Sequence, residues 1–244
     1  MSQFPSQFGP SGGGPQELQY ESRGDSTTVA AFFNAVYAWM AAGLALTAVV
    51  SWWVSTQPQI WQKLFNGPAI LILFVAQIAL VVTISRAINK ISAGVATALF
   101  MLYAALNGVM FAAIFLIYAK ASIAGAFIVS AGMFGAMSLY GYATKTDLSR
   151  MGAILFMALI GVVLASVVNM FWANSTLYWI VTYVGVFVFV GLTAYDTQRL
   201  RMIAIQTAGN PALSARLSVT GALTLYLDFI NMFLFVLRIM GNRR

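Results

Sequence analysis

The stretch ALTLYLDFINMFLFVL, from Ala222 to Leu237, contains a single charged residue, Asp228. It supplies most of a membrane-spanning helix, which needs ~20 apolar residues to cross ~30 Å of hydrocarbon. A carboxylate that faces lipid in such a helix is energetically costly. The chain has only six acidic residues among 244, so a carboxylate at this position needs an explanation. The stretch therefore predicts a membrane helix whose one acid faces the interior of a helix bundle.

The composition of the whole chain indicates a polytopic membrane protein. Hydrophobic residues make up 61% of it and charged residues 8%, whereas a soluble domain carries about 25% charged residues. Cysteine and histidine are both absent. This excludes disulfides, thiolate nucleophiles, histidine bases and Cys/His metal sites. We expect no cofactor, no enzymatic activity and no nucleic-acid partner; the expected partner is the lipid bilayer.

The distribution of apolar residues predicts seven transmembrane helices in an all-α fold. Residues 1–28 are rich in Gly, Pro, Ser and Gln, which predicts a disordered tail with Asp25, Ser26 or Thr27 capping the first helix. The transmembrane domain is predicted to cover residues 29–244. Its segments lie near 29–54, 68–86, 93–118, 121–142, 151–172, 176–197 and 219–239. Within them, small residues are expected mainly where helices pack closely: Gly132, Gly135, Gly161, Gly185 and Gly191.

The placement of lysine and arginine favours a cytoplasmic N-terminus. With the tail inside, eight basic residues fall on the cytoplasmic side and five on the other, and the positive-inside rule selects the more basic side as cytoplasmic. The C-terminal RIMGNRR then falls on the less basic side unless the last segment fails to cross fully. The longest later connection is predicted at about residues 198–218.

Two acids lie within the last two segments, Asp196 and Asp228. Gly221, Thr224, Asp228 and Asn231 are spaced by three, four and three residues, so they share one helical face, which should point into the bundle. The sixth segment ends on the membrane side where the seventh begins, so the two acids can meet. Two adjacent carboxylates in a low dielectric resist double ionisation and share a proton. Such a pair would respond to pH without histidine.

More conservative interpretations of these residues stay open. Asp228 could be a protonated structural acid, and Asp196 could be an interfacial acid paired with Arg199 at i+3. Arg86 could be a positive-inside anchor or a partner of one of the two acids. A calcium ion prefers six to eight oxygen ligands. Two carboxylates with Asn231 therefore predict at most a transient calcium site.

Three long stretches carry a family resemblance: AGMFGAMSLYGYATKTDLSRMG (131–152), FVGLTAYDTQRL (189–200) and GALTLYLDFINMFLFVLRIMGNRR (221–244). Through them the chain resembles the Bax inhibitor-1, or transmembrane Bax inhibitor motif, family, in particular its bacterial YbhL-like and YccA-like branch. The resemblance implies a seven-helix bundle of the bacterial inner membrane with the last helix central.

The resemblance also implies a function, a pH-sensitive calcium leak governed by two aspartates on the sixth and seventh helices. Asp196 and Asp228 match that pair by position. The arginine latch of the family lies on the second helix, where Arg86 is the only arginine. Bacterial relatives are linked to the membrane AAA protease FtsH as modulators, which implies an alternative role as a membrane-embedded binding protein.

An intramembrane aspartyl protease is a third and weaker interpretation. Presenilin-like enzymes carry Tyr-Asp on one helix and Gly-x-Gly-Asp on the next. Tyr195 and Asp196 match the first motif. The second motif is missing, because Leu225, Tyr226 and Leu227 precede Asp228.

Overall fold

The computed structural model describes residues 15–65, 68–87 and 90–242, and these residues form eight helices and no β-strand. Seven of the helices are long and apolar enough to cross a membrane, which confirms the predicted polytopic all-α class. The short α2 lies between the first two spans. The helices are α1 (Pro15–Ser55), α2 (Pro58–Phe65), α3 (Ala69–Ala87), α4 (Ala93–Ile117), α5 (Lys120–Ala143), α6 (Ser149–Trp172), α7 (Ser175–Gln206) and α8 (Pro211–Met240).

Polar side chains cap the N-termini of three of these helices. The side chains of Ser92, Asn174 and Asn210 accept hydrogen bonds from backbone amides in the first turns of α4, α7 and α8. These amides have no partner within their own helix, so a side-chain acceptor stabilises the helix end. Pro211 then occupies the first turn of α8, where its missing amide hydrogen costs nothing.

Helix α8 is the central helix of the bundle, as predicted. It packs against α1, α4, α5 and α7. In its apolar window 61% of the residues are buried, compared with 11% in α3 and in α6. Helix α3 packs mainly on α4, and α6 mainly on α7. The bundle therefore has a well-packed centre around α8 and two peripheral helices whose apolar surfaces remain largely uncovered.

The predicted close packing at glycines is correct at some positions and wrong at others. A Cβ atom on Gly185 would lie 2.5 Å from the Phe235 ring, and one on Gly191 would lie 2.7 Å from Leu155. A Cβ on Gly132, Gly135 or Gly161 would meet nothing within 4 Å. These three glycines lie on helix faces that have no neighbour among the described residues, so their small size does not serve helix packing here.

Two predicted boundaries are wrong. Helix α1 begins at Pro15, so residues 15–28 are helical and Asp25, Ser26 and Thr27 do not cap its start; residues 1–14 of the predicted tail lie outside the described residues. The predicted connection 198–218 is only residues 207–210, because α7 continues to Gln206 and α8 begins at Pro211. Charged and polar residues mark where a helix leaves lipid. They do not mark where the helix ends, because Arg, Gln and Glu are good helix formers.

The C-terminal end of α8 is anchored beside the α4–α5 connection. The Ala119 amide donates a hydrogen bond to the Asn242 carbonyl (3.1 Å), and the Asn242 amide donates to Ser122 Oγ (3.0 Å). Arg238 lies over the rings of Tyr178 (5.7 Å) and Phe235 (5.2 Å). Helix α8 therefore runs the full length of the bundle. The last segment does not stop short of crossing, so with a cytoplasmic N-terminus its C-terminal end falls on the less basic side.

Candidate functional site

A cleft of about 640 Å³ lies between α6, α7 and α8, and both intramembrane aspartates line it. Helix α7 packs against both of its neighbours, while the cleft separates α6 from α8. Its polar lining residues are Ser149, Tyr195, Asp196, Arg199, Thr224, Asp228 and Asn231. The remaining lining residues are apolar or glycine, so the polar groups are concentrated on α7 and α8.

The structure brings the side chains of Asp196 and Asp228 together, close enough to interact with each other. Asp228 is only 4% exposed, and Asp196 is half-buried. Ionised carboxylates only accept hydrogen bonds, so a direct bond between the two acids requires that one of them carries a proton. Asp228 Oδ2 is buried and has no hydrogen-bond partner among the described residues. The two acids therefore form one protonatable unit that connects α7 to α8.

The length of α7 explains how Asp196 reaches this position. The sequence placed Asp196 close to a helix end, but α7 continues for ten residues beyond it, to Gln206. Asp196 therefore lies inside a regular helix. Thr193 and Thr197, on either side of it, donate hydrogen bonds to carbonyls of their own helix (2.8 and 2.7 Å).

The predicted polar face of α8 points inward, and its hydrogen bonding is specific. Thr224 Oγ1 donates to the Thr220 carbonyl (3.1 Å), and Asn231 Nδ2 donates to the Leu227 carbonyl (2.8 Å). Both side chains line the cleft with Asp228. These bonds use the donor side of each group, so Thr224 Oγ1 and Asn231 Oδ1 can still accept. Gly221 also faces inward, but it packs against Leu200 and Val36 and does not line the cleft.

The arginine next to the acid pair is Arg199. It lies near enough to Asp196 to favour its charged form and lines the cleft; a direct i+3 ion pair stays a prediction. Arg86 is exposed in the last turn of α3, a helix that packs mainly on α4, and it does not line the cleft. The latch role of Arg86 stays a prediction.

A second cavity, of about 710 Å³, adjoins the cleft at the end where α5 connects to α6. We call it the vestibule. Its lining residues are Thr144, Lys145, Asp147, Ser149, Tyr195, Gln198, Arg199, Arg201 and Met202. Three of them, Ser149, Tyr195 and Arg199, also line the cleft. The Tyr195 ring lies directly against Gly152, where a Cβ atom would come within 2.5 Å of it. Gly152 therefore allows the ring to lie across α6 between the two cavities.

Hydrogen bonds hold the walls of the vestibule in place. Gln198 accepts a hydrogen bond from the Leu148 amide (2.9 Å) and donates one to the Thr146 carbonyl (2.8 Å). Asp147 Oδ1 accepts from the Ser149 amide (2.9 Å). Hydrogen bonds from the Ser149 side chain and backbone lower the pKa of the exposed Asp147 carboxyl, so it remains ionised. The sequence did not predict this cavity, because hydrogen bonds between residues 50 and 52 positions apart build it.

The chemistry of the cleft does not resemble a permanent metal centre. Across the described part of the chain, no cluster of three or more Asp, Glu, His or Cys side chains could hold a metal ion. Two carboxyls and a few neutral oxygens fit a cation that passes through or binds briefly, since stable calcium sites use six to eight oxygen ligands.

The fold and the buried acid pair define a polytopic helical membrane protein with an intramembrane protonatable site. Residues 29–244 match the family model described as "Inhibitor of apoptosis-promoting Bax1", and the chain belongs to this Bax inhibitor-1 family. It is 56% identical over 211 residues to the inner membrane protein YbhL of Escherichia coli K12, covering 86% of this chain and 90% of that protein. An uncharacterized protein of Deinococcus radiodurans is 46% identical over 217 residues, covering 88% and 92%. An uncharacterized protein of Borreliella burgdorferi is 43% identical over 214 residues, covering 87% and 92%.

These comparisons confirm three predictions: the family, the fold and the location. The protein is a multi-pass protein of the inner membrane. The name of the E. coli relative describes a membrane protein and no enzymatic activity.

Proposed function

We propose that this protein is a pH-sensitive cation leak of the inner membrane, with calcium as its cation and Asp196 and Asp228 as its gate. The observation that carries the proposal is that the two carboxyls interact with each other within one cleft between the last two spans. Ionisable groups inside membrane spans are costly and mark ion or proton pathways by default. A purely structural role would be served equally well by a neutral hydrogen-bonding pair, without the cost of burying acids.

Oxygen acceptors in the cleft support the passage of a hard cation. Thr224 and Asn231 each donate one hydrogen bond to a carbonyl of α8, line the cleft, and keep an oxygen that can accept. Asp228 Oδ2 has no hydrogen-bond partner among the described side chains and backbone groups. A cation could therefore replace part of its water shell with these oxygens, with too few of them to bind tightly. Weak binding of this kind suits conduction.

The sign of the pH effect follows from the strength of the bond between the acids. With one proton shared, the bond is charge-assisted and about twice as strong as a neutral one. Acidification adds the second proton and replaces this bond with a weaker neutral one, which loosens the link between α7 and α8. Full protonation also removes the charge beside Arg199. In this mechanism calcium flux therefore rises as the pH falls.

The test is calcium flux through the purified protein in sealed vesicles, measured across a range of pH. The wild-type protein should leak more at acidic pH. Asp196→Asn should give a leak that no longer responds to pH. Asp228→Asn should lose the pH response and also conduct less, because it removes a charge from the cleft. Asp147→Asn is the matched control, since it changes an exposed acid outside the pair and should keep the wild-type pH response.

The alternative is a binding protein that modulates an FtsH-type membrane protease. The two functions differ in this assay, because a binding protein needs no conduction of its own. An unchanged pH dependence in both Asp196→Asn and Asp228→Asn, or no flux from the wild-type protein reconstituted alone, would reject the gate and leave the binding role as the better account.

A further inference from the structure

The adjoining vestibule and cleft together form a groove that is cationic at the vestibule end and lined along the cleft by apolar side chains beside the acid pair and its polar neighbours. They share the residues Ser149, Tyr195 and Arg199. The vestibule contains three cationic side chains, Lys145, Arg199 and Arg201, and one carboxylate, Asp147. Apolar side chains from three helices line the cleft: Phe156, Leu159, Val163, Phe189, Leu192 and Leu227. A groove with this division of chemistry fits an amphiphile with an anionic head.

The cationic end is built to hold a phosphate group. Arg201 is fixed by a hydrogen bond from Nη1 to the Tyr142 carbonyl (3.1 Å) and by its position over the Tyr142 ring (5.5 Å). A positioned guanidinium still has several donors for a phosphate oxygen. Asp147, the one opposing charge, already accepts a hydrogen bond from the Ser149 amide. An ordinary interfacial cation such as Arg150 does not line this cavity.

The apolar end has the length and the lateral access that a lipid chain needs. From Ser149 to Val163 the groove follows α6 for roughly 21 Å, more than half of the ~30 Å hydrocarbon core. Two of its wall residues on α6 are also open to the outside of the bundle, Phe156 at 59% and Val163 at 53% exposure. Because α6 packs mainly on α7, no helix among the described residues closes this side, and a chain can enter from the bilayer.

We propose that this groove binds one anionic phospholipid, with its phosphate between Lys145, Arg199 and Arg201 and an acyl chain along the cleft between α6 and α8. A free phosphate ion would use only the vestibule and would leave the apolar half without a ligand. A bound chain would cover Asp196 and Asp228, and the headgroup would compete with Asp196 for Arg199. An effect of the bound lipid on the acid pair as a gate rests on the proposed leak, whereas the binding of the lipid does not.

Native mass spectrometry of the purified protein from mixed micelles of phosphatidylglycerol and phosphatidylcholine tests the proposal. We expect one phosphatidylglycerol to be retained in preference to phosphatidylcholine. Lys145→Gln combined with Arg201→Gln should weaken that retention roughly 30-fold, since each cation near an anionic headgroup contributes about a five- to sixfold gain. The control pair, Lys90→Gln with Arg150→Gln, removes the same charge from exposed positions outside the groove and should retain the lipid.

A second variant tests the apolar half of the groove. It also keeps the proposal testable if the Lys145→Gln, Arg201→Gln variant fails to fold. Ala153 is exposed and lines the cleft, so Ala153→Trp should fill the groove and expel the chain, whereas Ile154→Trp on the neighbouring exposed position should not. Equal retention of the two lipids, or wild-type retention in both the vestibule and the Ala153→Trp variants, would overturn the proposal. Displacement of the lipid by inorganic phosphate at matched concentration would show that the ligand is the phosphate alone and would also overturn it. None of these experiments measures calcium flux, so a negative result would reject lipid binding without rejecting the proposed leak.

Discussion

At the scale of single residues, the hydroxyl of Tyr226 shows how this apolar bundle accommodates buried polar groups. Tyr226 on α8 is fully buried, and its hydroxyl lies 2.7 Å from Thr47 Oγ1 on α1. Thr47 Oγ1 lies 2.9 Å from the carbonyls of Gly43 and Ala104. Carbonyls only accept hydrogen bonds, so the single hydroxyl hydrogen of Thr47 is shared between these two acceptors, and Thr47 accepts from Tyr226. One hydroxyl pair thus links α1, α4 and α8.

This network predicts an unequal effect of removing its two hydroxyls. Tyr226→Phe removes one donor and leaves Thr47 bonded to a carbonyl, which should cost about 1 kcal/mol in free energy of unfolding. Thr47→Val also leaves the buried Tyr226 hydroxyl without a partner and should cost about 1–3 kcal/mol. Tyr183→Phe, at an exposed position on α7, is the control and should be neutral. Denaturant unfolding in detergent would measure all three, and equal losses for Tyr226→Phe and Thr47→Val would contradict the assigned direction of the bond.

At the residue level, the sequence singled out the two acids as candidates but did not reveal their surroundings. The six acids of the chain are few enough that two inside apolar spans stand out, and the spacing of Thr224, Asp228 and Asn231 shows their shared face. The α6 wall of the cleft contributes mainly apolar side chains. Nothing in an apolar span distinguishes a residue that lines a cleft from one that contacts lipid, so this wall could be found only from the structure.

At the scale of helices, the backbones of α5 and α7 lie very close together at Gly141. A Cβ atom there would collide with the backbone carbonyl of Ala194, which cannot move without shifting α7. Gly132 lies on the same helix with nothing within 4 Å of its Cβ position. The two glycines therefore separate the effect of helix packing from the effect of helix propensity.

Alanine at these two positions should change stability in opposite directions. Gly141→Ala should force α5 away from α7 and cost about 1–3 kcal/mol or more, because a backbone clash cannot be relieved by a rotamer change. Gly132→Ala should be neutral or stabilise by about 0.5–1 kcal/mol, the usual gain of alanine over glycine in a helix. Thermal unfolding in detergent measures both. A Gly141→Ala variant as stable as Gly132→Ala would show that the close approach of α5 and α7 is not required.

The helix boundaries show what hydropathy can and cannot predict. It located all seven spans because the bilayer demands ~20 apolar residues from each. It ended α7 early because Arg199 and Arg201 resemble loop residues, although in the structure both lie within the helix. Arg199 borders both the cleft and the vestibule, and Arg201 lines the vestibule. The misplaced boundary therefore concealed the polar end of the candidate site.

At the scale of the whole molecule, the distribution of charge and the predicted topology conflict at the C-terminus. Seven spans place the two termini on opposite sides, and a cytoplasmic N-terminus puts RIMGNRR on the less basic side. The structure shows how Arg238 is accommodated there, because it lies over the rings of Tyr178 and Phe235. Cation–π contacts of this kind offset the loss of favourable charge placement. The overall excess of eight basic residues against five still favours a cytoplasmic N-terminus, which stays a prediction.

Reporter fusions at three positions test this orientation together with the number of spans. A fusion after Asp147 should report the cytoplasm, because the α5–α6 connection lies on the same side as the N-terminal end of the first span. A fusion after Asn174, at the other end of α6, should report the opposite side, and a fusion at the C-terminus should agree with it, since Asn242 is hydrogen-bonded to the α4–α5 connection. Replacing both Lys145 and Arg150 with glutamine should reduce the cytoplasmic bias without changing the number of spans.

The same reporter signal after Asp147 and Asn174 would mean that α6 does not cross the membrane. An inverted but alternating pattern would preserve the bundle and place the vestibule, with its cationic residues, on the extracytoplasmic side.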